Sequence, residues 1–195
     1  MKLGITSGDW VHPSKAEDRK EHWGGAGWVR LGQYVSLLPF DVYVGVLVWN
    51  KTHFSVQEID GSMHDVDVVY MQRLMHEGLL THIPMAQAAG QKIINDLDDW
   101  YWGLDPRNGA FKANHPTHNK EENTSFYGGI LAKSDAVTVS TQYLLDRISH
   151  KVRGDLILVP NTVDIARFTR HQHIDNGPPL VGWVGSTAHR TGDLE

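Results

Sequence analysis

Lys92-Ile93-Ile94-Asn95-Asp96-Leu97-Asp98-Asp99-Trp100-Tyr101-Trp102 is the stretch on which the reading of this chain turns. Two β-branched residues, Ile93 and Ile94, lead into three carboxylates, Asp96, Asp98 and Asp99, and then into three aromatic rings. A short apolar run bounded by polar residues has the pattern of a buried strand. Ligands of open α/β sheets sit just beyond the carboxyl ends of strands. Acids and aromatics gathered at such an end mark the place to expect chemistry. The competing reading is local: Asp96 or Asp99 caps the turn that follows, and the rings are packing.

Working outward, the same alternation of element types repeats. Upstream, residues 2–6 read as a first strand, broken by Ser7, Gly8 and Asp9, and residues 11–22 as a polar loop. Trp28, Leu31, Tyr34, Val35 and Leu38 fall at helical spacing, and Pro39 stops that helix. Residues 41–49 are expected to form one strand, 54–59 an edge strand and 66–71 another. Residues 81–91 are expected to be helical, with Thr81 as cap and Pro84 in the first turn. Downstream, residues 103–120 read as a loop and 121–134 as a helix weakened by Gly128 and Gly129. Residues 136–140 and 155–159 read as strands flanking a helix over 141–149, and Pro160 closes the second of them. Strands alternating with helices imply parallel pairing and a doubly wound, Rossmann-like α/β sheet. Residues 175–179 have the composition of a linker. The chain therefore divides into a domain over 1–174 and a segment over 175–195, whose strand at 180–184 looks like the start of a second, incomplete domain; the alternative is that it joins the edge of the same sheet.

Composition narrows the classes. At 195 residues the chain is long enough for a full core, and 41% hydrophobic with 21% charged residues is ordinary for a globular protein. A net charge of -5, with no Lys/Arg block, argues against nucleic acid or a membrane surface as partner. There is no cysteine, which excludes a disulfide framework and thiolate metal sites. No apolar run approaches a membrane span and no signal-peptide pattern opens the chain, so a cytoplasmic location is expected.

Several constellations compete for a role. Gly24-Gly25-Ala26-Gly27 precedes a helix, where backbone amides can approach a phosphate, although the spacing is neither a dinucleotide fingerprint nor a P-loop. The Asp cluster has the residue types for a divalent ion or for one general base. Of twelve histidines only His115/His118 and His171/His173 lie close in sequence; most read as surface residues, with His115 and His118 in the loop after the acidic strand. Asn161 and Asp164 read as turn formers. Gly182-Trp183-Val184-Gly185-Ser186, followed by His189, Arg190 and Asp193, again suits a phosphate.

Taken in order, these pieces resemble a GT-B fold glycosyltransferase of the large group that uses nucleotide-sugar donors. The resemblance is carried by the glycine-rich 24–27, by Ser134-Asp135-Ala136-Val137-Thr138-Val139-Ser140-Thr141, and by Val159-Pro160-Asn161-Thr162-Val163-Asp164 with Phe168. The fourth place is Val181-Gly182-Trp183-Val184-Gly185-Ser186. The third is the most specific, although Thr162 stands where the family usually has glycine. The acidic strand and the Gly-Trp-Val-Gly-Ser-Thr end are similar in style to phage-borne members. The likeness spans nearly the whole chain but only the first half of the family fold, and stops before the family's downstream glutamate motif. It implies that the first domain faces the acceptor and that a second domain, in this chain or supplied separately, holds most of the donor. Gly24, Gly25, Gly27, Gly185, Ser186 and Arg190 would contact the donor diphosphate. Asp98, with Asp96 or Asp99, would orient substrate or act in catalysis, and Trp100, Trp102 and His118 would lie on the acceptor side. It implies retention of configuration and no required metal or other cofactor. Two other classes stay open: a metal-dependent hydrolase or phosphotransferase built on the Asp cluster, and a non-catalytic half that binds an acceptor, forms a homodimer or pairs with a separate C-terminal domain.

Overall fold

The computed structural model describes residues 1–8, 23–108, 111, 124–163, 165 and 177. Their centre is a six-stranded, wholly parallel sheet. Its strands are β1 (Lys2–Ser7), β2 (Asp41–Val44), β6 (Val68–Gln72), β7 (Lys92–Leu97), β8 (Ala136–Val139) and β9 (Asp155–Leu158), in the order β2-β1-β6-β7-β8-β9. Three short strands, β3 (Val46–Trp49), β4 (Phe54–Gln57) and β5 (Met63–Asp65), form a separate antiparallel sheet inserted between β2 and β6.

Helices cover both faces, as a parallel sheet requires. On one face, α2 (Leu79–Ala88), α3 (Thr124–Lys133) and α4 (Gln142–Ile148) bury Ile83, Ala86, Tyr127, Ile130 and Leu131 against Val69, Met71, Ile93, Leu97 and Val137. Each such aliphatic side chain, fully buried, contributes about 1.5–3 kcal/mol. On the other face, α1 (Gly25–Arg30) and a 3-10 helix over Gly32–Leu37 cover Leu3 and Ile5 through Leu31, Val35 and Leu38. Thr141 caps α4 by accepting the Leu144 N–H at 3.2 Å.

The acidic strand is where the sequence places it, and β8, α4 and β9 differ from their expected bounds only at the ends. The run read as one strand over 41–49 is two. Gly45 breaks it, since a Cβ there would lie 2.0 Å from the Gln57 carbonyl oxygen; the chain turns from β2 in the main sheet into β3 of the insert. The segment read as an edge strand, β4, is the middle of that insert, and β5 was not foreseen at all. The first helix begins earlier and tightens to 3-10 geometry before Pro39. The expected cap Thr81 lies inside α2, which starts after Gly78 and runs through Pro84. Gln91, buried, staples insert to sheet: it accepts from Phe54 N at 2.9 Å and donates to the Phe54 and Val66 carbonyls at 2.8 Å each. The strand expected at 180–184 and the second segment lie outside the described residues. Among the described residues no helix is long and apolar enough to cross a membrane.

Candidate functional site

β7 carries the three carboxylates to the carboxyl edge of the sheet, and each takes a different partner. Asp96 is fully buried on the α1 face. Arg30, in the last turn of α1, grips it with two donors, Nε to Oδ2 at 2.9 Å and Nη2 to Oδ1 at 2.5 Å. Thr138 Oγ1 donates to the same Oδ1 at 2.5 Å and shares a 2.7 Å hydrogen bond with the Tyr70 hydroxyl. Burial, reinforced by Asp96, raises the pKa of that hydroxyl and keeps it a donor. A buried charge persists only when it is paired and its remaining lone pairs are satisfied, and Asp96 meets both conditions. The same guanidinium reaches outward: Arg30 Nη1 donates to the Val159 carbonyl and, at 3.0 Å, to Asn161 Oδ1. Gln33 donates to the Thr162 carbonyl at 3.0 Å, and the Tyr34 and Thr162 hydroxyls are bonded to each other. Asp96 therefore ties α1 and the chain leaving β9 to the middle of the sheet.

Asp98 lies two residues on, half-buried at the rim. The Tyr101 hydroxyl donates to its Oδ1 at 2.9 Å. Its backbone carbonyl accepts from Ser140 Oγ at 3.1 Å, and the Asp96 carbonyl accepts from the Tyr127 hydroxyl at 2.8 Å, so the strand end is held in place. Burial pushes the Asp98 carboxyl up to about 6; the charge of Asp99 adds to the rise, while Arg73 and the Tyr101 hydrogen bond oppose it. Arg73 sits at the end of β6 with a left-handed φ of 57°, its guanidinium 5.5 Å from the centre of the Tyr101 ring. Asp99 is exposed, and its carbonyl accepts the Tyr101 N–H at 3.2 Å.

The chain leaves β1 toward β2 on one side and β6 toward β7 on the other, so the gap between β1 and β6 is the switch point at which open α/β sheets bind ligands. Ser7 Oγ donates to Gln72 Oε1 across it at 2.5 Å, and Gly8 N donates to the Gln72 carbonyl at 2.8 Å. Gln72 is fully buried, and its Nε2 has no hydrogen-bond partner among the described residues. Beside the end of β1, a cleft of about 340 Å³ opens between the insert and the start of α2.

Trp100 and Trp102, expected on the acceptor side, are half-buried against α3 and α4. Trp102 stacks on Tyr127 at 5.9 Å with Lys151 5.6 Å above its ring, and Arg147 lies 6.0 Å over Trp100. Gly24 is the extended residue before α1, Gly27 is buried within α1, and Gly25 has open space around its Cα. Gly185, Ser186, Arg190 and His118 lie outside the described residues. No group of three His, Asp or Glu side chains among the described residues is placed to hold a metal ion.

Sequence reasoning missed Arg30, Ser7, Gln72, Arg73 and the cleft residues Trp49, His76 and His82. Arg30 falls just off the apolar stripe that marked its helix, and no local pattern announces a partner 66 positions away. The Ser7–Gln72 pair is a product of strand register, with β1 and β6 adjacent. Comparison with known protein families, with curated proteins and with solved structures finds no match for this chain.

Proposed function

We propose that this chain is the acceptor-side half of a GT-B type glycosyltransferase, which moves a sugar from a nucleotide-sugar donor to a hydroxyl group. The observation that carries the reading is Asp98, a carboxyl raised to about 6 at the carboxyl edge of a parallel sheet, one strand from its switch point. Its working form at neutral pH is the carboxylate, more basic than an ordinary aspartate and so a better hydrogen-bond acceptor and proton acceptor. Asp98 would hold the acceptor hydroxyl as its oxygen bonds to the sugar carbon and the bond to the donor phosphate breaks. The hydroxyl proton then goes to Asp98 or, in the retaining course that the motifs imply, to the departing phosphate oxygen. Donor contacts fall to Gly24, Gly25 and Gly27 near the start of α1, and to Gly185, Ser186 and Arg190.

The sheet topology and the two-sided helix cover support this reading at the level of fold. A binding half without chemistry of its own is the second reading, favoured by the cleft at the end of β1. The test is calorimetric titration with uridine and guanosine diphosphate sugars, with and without Mg²⁺, followed by a transfer assay of wild type and Asp98→Asn. Binding of one nucleotide type without Mg²⁺, with transfer lost in Asp98→Asn, supports the transferase. Binding that needs Mg²⁺ points to the hydrolase, and transfer unchanged in Asp98→Asn removes Asp98 from the chemistry.

A further inference from the structure

The cleft at the end of β1 is built for one kind of ligand. Its walls are Leu47, Trp49 and Phe54 from the insert, Leu74 from the approach to α2 and Leu79 from its first turn. Trp49 and His82 stack face to face at 4.3 Å with 7° between planes, and Phe54 meets Trp49 edge-on at 5.0 Å, so the aromatic wall is rigid. The polar lining comes from Thr6 and Ser7, the last residues of β1, and from His76 and His82, whose rings lie near each other: a side chain added at Gly78 would meet them at 3.1 and 3.5 Å. His76 Nδ1 accepts the Gly78 N–H at 3.1 Å, which leaves Nε2–H as the donor of that ring.

Charge discriminates further. Among the described residues no Lys, Arg, Asp or Glu lines the cleft. The first N–H groups of α2 do not serve an anion either, because Leu79, Leu80, Thr81 and His82 already donate to the carbonyls of His76, Glu77 and Gly78. Among the described residues a phosphate or carboxylate entering this space would meet no Lys or Arg to offset its lost hydration. A few polar groups in an apolar, aromatic-walled pocket are the features of a small-molecule site.

We infer that this cleft binds a neutral, hydroxyl-bearing ring compound with an apolar body, its hydroxyl edge toward Ser7 and His76 and its apolar part against Trp49 and Leu74. In the transferase it is the acceptor subsite, and this assignment rests on that reading; the binding itself does not. Calorimetry with phenyl β-D-glucopyranoside, glucose and glucose 6-phosphate tests it. Phenyl glucoside is expected to bind at least tenfold more tightly than glucose, and glucose 6-phosphate no better than glucose. Leu74→Trp, which fills the cleft, is expected to abolish binding. His76→Ala, at an exposed position, is expected to weaken it about fivefold, the worth of one hydrogen bond, with the thermal melt showing that the variant stays folded. Equal affinity for glucose and phenyl glucoside, preference for the phosphate, no binding of any probe, or binding indifferent to both variants overturns the inference. Nucleotide-sugar binding without phenyl glucoside binding removes the cleft assignment and leaves the transferase. Phenyl glucoside binding without any nucleotide-sugar binding keeps the site and removes its role as an acceptor subsite.

Discussion

Asp96 and Asp98 stand two residues apart at the end of one strand, and their surroundings are opposite. Asp96 is closed: a forked Arg30, a Thr138 hydroxyl and full burial leave it no room for a ligand. Asp98 lies half-buried at the rim, accepts from the Tyr101 hydroxyl at 2.9 Å, and has a like charge next to it in Asp99. Both are shielded from water, but Arg30 grips Asp96 through two hydrogen bonds, whereas Arg73 acts on Asp98 through its charge. The difference separates a carboxylate that holds the fold from one to which the proposed function gives the chemistry, a separation that residue type and spacing alone do not reveal.

The largest effect is expected on the closed side. Arg30→Ala leaves Asp96 buried and unpaired, and urea unfolding should show a loss of about 3–5 kcal/mol. A loss below about 1 kcal/mol would mean that the pair is not the fastening described, and the contrast with Asp98 would collapse. Next comes Asp98→Asn, which should leave the fold intact while lowering transfer about 100-fold or more, the usual scale for a positioned acid–base group.

How far the sequence carried this picture follows from the range of each interaction. β7, β8, β9 and α4 were legible because their patterns are local, as the Thr141 cap illustrates. Gly45 was not, because its role depends on Gln57 approaching from a different strand. The Asp cluster was legible as a cluster, but its division into a buried fastener and a rim carboxylate depends on Arg30 and Arg73, which only the fold brings near. The cleft was invisible for the same reason: Trp49 read as a strand residue and His76 and His82 as surface ones, until the insert and α2 met.

A smaller effect sharpens the contrast through pH. In the folded chain Asp98 titrates near 6, against about 3.9 for an ordinary aspartate. Between about pH 4 and pH 6 the folded state retains a proton that the unfolded chain has released, so the stability contribution of this group falls as pH rises through that window. Thermal melts should show a decline of about 2 kcal/mol from this group, absent in Asp98→Asn. The smallest effect belongs to the exposed Lys92–Asp135 pair at 2.9 Å, at the opposite end of β7. Lys92→Ala should cost less than about 1 kcal/mol in the same unfolding assay, since solvent screens such pairs.

The most direct measurement is a carbon-detected NMR titration of the Asp98 carboxyl. The account predicts a midpoint near 6, which drops when Asp99 is replaced by Asn. A midpoint at about 4, unmoved by Asp99→Asn, would place Asp98 among ordinary surface carboxylates and remove the basis for assigning it the chemistry.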